Sequence, residues 1–451
     1  MFELFEKNTK EEIAKRLGTD AATLTAFEES YKAFETPSDK IVAVDAKKMN
    51  NTASDDLIDK IVNELIDGCE MYEYKAGKGT RKTLKTETRP VTLEEIKKLP
   101  AELQPDLTGM YMKRDVQEEA YVALITMLMK YEETHNPMFY HKFRQGLDIL
   151  DLDPITYEMV GCNKNSMGYW LPAMADLVSN ENFFKIPDTT IVKVPLTMLQ
   201  LTRLDYMSLS KTTLEIVDRW AQRVFALTED KKYFLKTGTY SSKFDFRNAK
   251  VTDSDEIRQL GEYLLYIHFD ALQMAQYDLC GKSPIVYGVS TTNEWVVRDF
   301  IEDKENNPSI YHGMPLHTEY RVFVDFDSKE VFGVHPYWDP DVMKNRFDNY
   351  SDNLSPDMLH DSVIYRAHEK TLMERYYSNK DTVLDHIKVI VEKNTELSGQ
   401  WSIDIMQNGT EFYLIDMAVA DQSAFFKEVV PESKRKKIPE NWIPKIGREK
   451  L

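Results

Sequence analysis

Cysteine is scarce in this chain. Three cysteines in 451 residues, Cys69, Cys162 and Cys280, lie far apart and have no CxxC spacing, which excludes a disulfide framework and a thiolate zinc site. No apolar run approaches the length of a membrane span, and the start MFELFEKNTKEE carries acids where a secretory signal needs a basic flank. A reducing cytoplasm is the compartment these absences fit. The nine histidines include no HExxH, and neither GxSxG nor GxxxxGK[ST] occurs, so a zincin, a serine elbow and a P-loop are all excluded. Positive charge is also in deficit: 57 Lys and Arg stand against 75 Asp and Glu, a net charge of −18. Most of the surface must therefore repel a polyanion, and nucleic acid could be met only locally. The local exception is KAGKGTRKTLKTETR, Lys75 to Arg89, with six basic residues among glycines and threonines; it reads as a loop or hairpin, solvated or in contact with phosphates. The short run SKRKK, Ser433 to Lys437, reads as a solvated terminus.

What is present suffices for two or three domains with a sizeable core, at 42% hydrophobic residues. The first half is mostly helical. Thr9 with Glu12, Thr92 with Glu95, and Asp115 with Glu118 have capping-box spacing, and DLIDKIVNELIDG puts Leu57, Ile61 and Leu65 on one face before Gly68. AYVALITMLMKY, Ala120 to Tyr131, is apolar on nearly every side and predicts a buried helix; MGYWLPAM, Met167 to Met174, reads as core. A boundary is expected near residue 185, where the β-branched run TTIVKV begins at Thr189. This divides the chain into a helical region over 1–184, a second domain over 185–430 and a tail over 431–451. Beyond Tyr233, EWVVRDFIE, EYRVFVDFD, EVFGVHPYW, QWSIDIM and EFYLIDM are strand-like, whereas Asp253 to Ala275 and Thr382 to Asn394 have helical spacing. The fold class is α+β with antiparallel sheets. QNGT, Gln407 to Thr410, is a hairpin signal that sets Asp404 and Asp416 on adjacent antiparallel strands, where two carboxylates can converge on one ion.

The chemistry-bearing candidates are charged residues inside apolar strands. Lys236 and Lys243 flank TGTYSS, whose hydroxyls and glycine let backbone N–H groups approach a phosphate. Asp245 is an alternative partner for Lys243. Arg298 and Asp299 are consecutive opposite charges within VVRDFI and need partners. Arg321, within EYRVFV, needs an anion: a phosphate or the carboxylate of Glu319. Asp404 in SIDIM and Asp416 in YLIDM sit where an unpaired carboxylate is costly, and a magnesium ion would resolve both. His335, one strand after Arg321, could face a nucleotide or an acceptor.

This ordered set resembles the ATP-grasp fold, and within it the divergent clade named for one arginine and two lysines, related to the cell division cycle 123 protein family. LKTGTYSSKFDF is similar to that clade's PKxNxSxPKDA-like run but lacks its prolines. VVRDFI (Val296 to Ile301) and EYRVFV (Glu319 to Val324) stand for its LRxW-like and EFRVFV segments, and SIDIM (Ser402 to Met406) and LIDMAVA (Leu414 to Ala420) for its FDVY and LIDFNPF strands. The likeness runs from about Tyr233 to Phe425. It implies an ATP-grasp-like C-terminal domain that binds ATP and magnesium. Lys236 would contact the α- or β-phosphate, Lys243 would sit on the loop that closes over the nucleotide, and Asp404 and Asp416 would hold the metal. The strand from Trp295 to Ile301 would be the adenine hinge, with Val296 and Val297 as walls, and Arg298, Asp299, Glu319 and Arg321 would complete the nucleotide site. Lys236 and Arg321 would serve catalysis. Where the clade has asparagine two residues after its last aspartate, this chain has Ala418, which removes a magnesium ligand; Asp421 is the nearest acidic substitute.

The activity so implied is ligation of a carboxylate to an amine through an acylphosphate, with an acceptor, small carboxylate or protein, that the sequence does not identify. The alternative is an ATP-dependent assembly or binding factor with little turnover, which Ala418 favours. A lysyl-adenylate RNA ligase is disfavoured, because KTGT lacks the KxDG spacing. No membrane partner is expected.

Overall fold

The computed structural model describes residues 51–107, 118–149, 152–278, 291–348 and 356–436, with a few positions between 11 and 25. The capping-box pairs at Thr9 and Asp115, Cys280, and the tail from Lys437 onward lie outside the described residues. The described strands are β1 Glu70–Lys75, β2 Lys78–Thr83, β3 Phe184–Lys185, β4 Thr189–Lys193, β5 Tyr233–Thr237, β6 Lys250–Val251, β7 Glu294–Asp299, β8 Ser309–Ile310, β9 Met314–Pro315, β10 Glu319–Asp325, β11 Glu330–Pro336, β12 Gln400–Asn408 and β13 Glu411–Val419. Two sheets organise the chain. The first has the order β2-β1-β4-β7-β5-β6 and is antiparallel throughout; the second, β11-β10-β12-β13-β3, is antiparallel except for the short β13–β3 pair. The α+β class with antiparallel sheets follows directly.

The basic stretch from Lys75 begins as the β1–β2 hairpin, turning at Ala76 and Gly77 with φ of 49° and 78°, the left-handed pair that a two-residue hairpin turn uses. Its first strand pairs with β4, so strands from residues 70–83 extend the sheet that carries β5 and β7.

Strand alternation separates two cores. On β7, Trp295 and Val297 enter a core that holds Ile61 and Leu65 of helix Asp55–Ile66 and Trp220 of helix Lys211–Phe225. Val296 turns the other way, into a core with Trp170 of helix Met167–Glu181, Ile387 of the long helix Pro356–Lys393, and Tyr320, Ile403 and Leu414 of the second sheet. The Met167–Met174 segment is thus core, apart from Tyr169, which is 43% exposed. Thr92 and Glu95 form the anticipated capping box.

One expectation needs correction. The helix Glu118–Thr134 is not buried on every side: Leu124, Ile125, Leu128 and Tyr131 are inside, but Val122 and Met129 are 46% and 54% exposed, so its apolar outer face is not covered by the described chain. The expected β12–β13 hairpin is present within QNGT, with Gly409 and Thr410 as its turn. Asn408 is a buried strand residue whose side chain donates to the Glu302 carbonyl and accepts from the Lys304 amide, while Gly409 takes the positive φ of 67°.

Candidate functional site

The second sheet carries a polar row. Arg321 on β10 is in register with His335 on β11 and with Asp404 on β12, and Asp404 is in register with Asp416 on β13. Residues directly opposite each other in antiparallel strands share a face, so the four side chains stand side by side across four strands. A bulge beside Asp404 and Ile415 shapes the row's inner end. Such a bulge re-aims side chains and releases a backbone carbonyl; here the released carbonyl of Ile415 accepts a hydrogen bond of 2.7 Å from Arg298.

Each member has a partner that sequence alone left open. Arg321 grips Asp404 through two parallel bonds, Nε to Oδ1 at 2.8 Å and NH2 to Oδ2 at 2.7 Å. Burial disfavours its charge, but Asp404 more than compensates and holds the guanidinium pKa above its ordinary value. Its anion is therefore Asp404, not Glu319. Lys236, buried at the end of β5, donates to Asp416 Oδ2 at 3.2 Å, yet desolvation outweighs that carboxylate and lowers its pKa.

Arg298 is different. It is 4% exposed and bonds only to neutral acceptors: the carbonyls of Ile415 and Leu414, and the Thr189 hydroxyl at 3.2 Å. Among the described residues it makes no ion pair, and burial pushes its pKa down to about 10. Its sequence neighbour Asp299 pairs instead with Lys231 at 2.6 Å.

Lys243 follows Ser242, which adopts a left-handed φ of 47°. Its ammonium donates to the Tyr337 hydroxyl and sits 4.5 Å from the Tyr337 ring, with the Phe244 and Trp338 rings at 5.5 and 5.7 Å. Asp245 is not its partner, being bonded to Arg247 and Asn248. The guanidinium of Arg321 lies 4.6 Å from the centre of the Tyr337 ring. Glu319 accepts from Trp338 Nε1 at 3.2 Å; burial raises its pKa to about 7, against the pull of Lys243 and with help from Asp404.

A cleft of about 160 Å³, open to solvent, runs between these groups. Lys236, Lys243, Arg298, Glu319, Asp404 and Asp416 line it, with Asp299 and His317 at its margin, and Phe234, Phe246, Phe300, Met314, Met406 and Ile415 supply apolar walls. Val297 does not reach it, because that residue faces the opposite core from Arg298, as does Trp295. The expected hinge shifts too. Both edges of β7 are already paired, with β4 and β5, through Asp299, and the residues beside the cleft are Phe300 and Ile301. The walls and the Tyr337–Trp338 pair were missed in the sequence, although YW directly after a β-rich run beside EYR was an available signal. Ala418 is opposite Ser402, two residues beyond Asp416; Asp421 is exposed in a short turn and does not line the cleft.

Among the described residues no group of three or more His, Cys, Asp or Glu side chains is gathered as for a metal. The carboxylates of Asp404 and Asp416, side by side on neighbouring strands, nevertheless fit magnesium, which is commonly held by one or two carboxylates with phosphates and water completing the octahedron. No helix of the described chain is long and apolar enough to cross a membrane.

No protein-family model matches the chain, and no curated protein matches it. Solved structures of Cdc123 from Schizosaccharomyces pombe are similar to it. One has 14% identical residues over 60% of this chain and 87% of that chain, with a TM-score of 0.33. A C-terminally truncated form has 12% identity over 64% and 96%, with a TM-score of 0.35. At these values no residue role follows from the likeness.

Proposed function

We propose that the cleft binds a nucleoside triphosphate, ATP, with magnesium, in an ATP-grasp-like manner. The observation that carries this reading is Arg298, a guanidinium buried beside the cleft whose hydrogen bonds go to carbonyls and a hydroxyl and which, among the described residues, makes no ion pair, the charge of Asp416 reaching it only from a distance. An isolated buried charge costs several kcal/mol, on the order of the effective penalty per ion inside proteins. A ligand anion would remove that cost. The surroundings support the same reading: Lys236 and Lys243 line the cleft, Arg321 stands next to it in the row, and four cations converge in a chain whose net charge is −18. The wall of Phe234, Phe246, Phe300 and Met406 offers flat and flexible apolar contact of the kind a purine fills.

Asp404 and Asp416 would hold magnesium, which supplies charge neutralisation between the outer phosphates. Arg321 would keep Asp404 oriented through its two bonds and add positive charge at the phosphate end. Lys236 would exchange part of its contact with Asp416 for a phosphate oxygen, and Lys243 would close from the Tyr337 side. Fixed, preorganised charges favour transfer of the terminal phosphoryl group, because they require no reorganisation as charge shifts. The reaction class we assign is ligation of a carboxylate to an amine through an acylphosphate. Ala418, which offers no third oxygen beside Asp416, favours a second reading in which the nucleotide is bound with little turnover and serves assembly with a partner.

Thermal melts with millimolar ATP and magnesium test the binding. The parent should be stabilised by mass action, and Lys236→Ala, Arg298→Met and Arg321→Ala should each lose most of the shift. A folded parent that melts identically with and without MgATP refutes the reading. ADP release in the parent separates the ligase from the assembly factor.

A further inference from the structure

The outer end of the polar row holds a second arrangement that phosphate binding does not use. His335 continues the row beyond Arg321, on the same face of the sheet. Its ring is stacked on Phe425 at 3.9 Å and 13°, and Phe425 holds a left-handed φ of 69° to present that ring. A non-glycine residue in that conformation is strained, and persists where surrounding structure enforces it. The imidazole is thereby fixed in plane.

Its two nitrogens can be told apart. Nδ1 lies 3.0 Å from the carbonyl oxygen of Pro336; a carbonyl only accepts, so Nδ1 carries the proton and Nε2 of the neutral ring is a bare acceptor. Facing Nε2 at 3.8 Å is Asp339 Oδ2. That separation is too long for a direct hydrogen bond. Asp339 is itself held in place, because its other oxygen, Oδ1, accepts from the amides of Asp341 and Val342 at the start of helix Pro340–Asp348. With the ring unprotonated, Nε2 and Asp339 Oδ2 are two oriented acceptors that face each other. The charged groups around His335 are Asp339 from the helix start and Arg321 from the neighbouring strand; Phe425 contributes only its ring. Both side chains remain about one-fifth exposed, at 21% and 19%, so a small group can reach them from solvent.

We propose that His335 Nε2 and Asp339 Oδ2 form the seat of a primary ammonium group, the amine that the reaction joins. A primary ammonium has three donors and satisfies both acceptors at once, which a quaternary ammonium of the same charge does not. The chemical role rests on the ligase reading: ATP and a carboxylate supply the acylphosphate. Nε2 takes one proton from the ammonium. The freed electron pair forms the C–N bond at the acyl carbon, the bond from that carbon to the phosphate oxygen breaks, and phosphate leaves with the electron pair and takes up the second proton. Asp339 stabilises the imidazolium that results.

The test reads binding at His335 without nucleotide, so it stands apart from the ATP reading. Diethyl pyrocarbonate modification of His335 in the full chain is followed by peptide mass spectrometry, with ethylammonium or tetramethylammonium present. Ethylammonium at about twice its dissociation constant should slow modification about threefold by mass action. Tetramethylammonium should not. Asp339→Asn should lose the protection, whereas Lys236→Ala, at the opposite end of the polar row, should keep it. Equal protection by both cations, no protection by either, or full protection in Asp339→Asn overturns the proposal. Failure of the parent to respond to MgATP in melts would instead remove the ligase reading and leave the seat as an amine site alone.

Discussion

The Arg321–Asp404 pair offers the sharpest perturbation, because its stability and binding consequences can be opposed. The two side chains are 14% and 9% exposed and share two short bonds. Asp404→Ala leaves a guanidinium in the same place with its anion gone. Breaking a buried pair from one side costs about 3–5 kcal/mol, whereas replacing both partners by apolar residues of similar size is about neutral or stabilising. With native stabilities of roughly 5–15 kcal/mol, Asp404→Ala should lose a large fraction of the total, and Arg321→Met with Asp404→Leu should recover most of it. Urea unfolding followed by tryptophan fluorescence measures this, with Trp401 buried on the same strand as Asp404. Pyrophosphate sharpens the test. It should stabilise Asp404→Ala more than the parent, since a phosphate oxygen can restore the anion Arg321 lost, and it should stabilise the apolar double variant, which keeps Lys236, Lys243 and Arg298, less than the parent. If Asp404→Ala unfolds at the parent's urea midpoint, the pair is screened by water and the cost argument fails. If the double variant responds to pyrophosphate as fully as the parent, Arg321 takes no part in binding the anion.

Arg298→Met should behave oppositely to Asp404→Ala: with no carboxylate to abandon, it should change stability by only about 1 kcal/mol in the absence of ligand, as hydrogen bonds to neutral acceptors are worth about that each and the charge-burial cost is removed, yet it should lose the pyrophosphate response. A loss of several kcal/mol would mean that Arg298 is a structural clamp. Glu319 gives a pH dependence whose sign is fixed by its pKa, raised from the ordinary 4.5 to about 7 by burial. The folded state then holds a proton that the unfolded chain has released, so stability falls as pH rises from the ordinary value toward 7 and is flat above, by at most about 3 kcal/mol. Glu319→Gln, which keeps an acceptor for Trp338, should erase that decline; urea midpoints at pH 5 and pH 8 would differ no less than in the parent if the inference is wrong.

The charged members of the site were legible for one physical reason: an Arg or Asp inside EYRVFV, SIDIM or YLIDM is expensive unless something compensates it. What compensates it was not legible. Arg321 and Asp404 are 83 residues apart, and Lys236 and Asp416 180; which pairs form depends on strand register, which short apolar patterns leave free to slide. Glu319 was as good a candidate for Arg321 as Asp404 until the β10–β12 register was known. The joining of the β1–β2 hairpin to β4 was hidden in the same way, since a pairing across more than a hundred residues leaves no local trace. Val297 is another case. Period-two alternation already forbids consecutive strand residues from sharing a face, so Val297 and Arg298 could not both have lined one cleft, and the rule needed only to be applied.

Register also explains why the row can tolerate so much charge. Read outward from the core of the cleft, the order is Lys236, Asp416, Asp404, Arg321 and then His335, with each neighbouring pair either bonded or opposite in the sheet. Signs run plus, minus, minus, plus, so the two carboxylates sit together in the middle and each is held from its outer side by a cation. Like charges side by side on adjacent strands are destabilising, and the flanking cations only partly offset that. A divalent ion placed between the carboxylates would remove the repulsion, and a phosphate would at the same time satisfy Arg298. The two unfavourable features of the site, the adjacent carboxylates and the guanidinium that makes no ion pair among the described residues, therefore call for ligands of opposite sign bound together, which is a stronger constraint than either feature imposes alone.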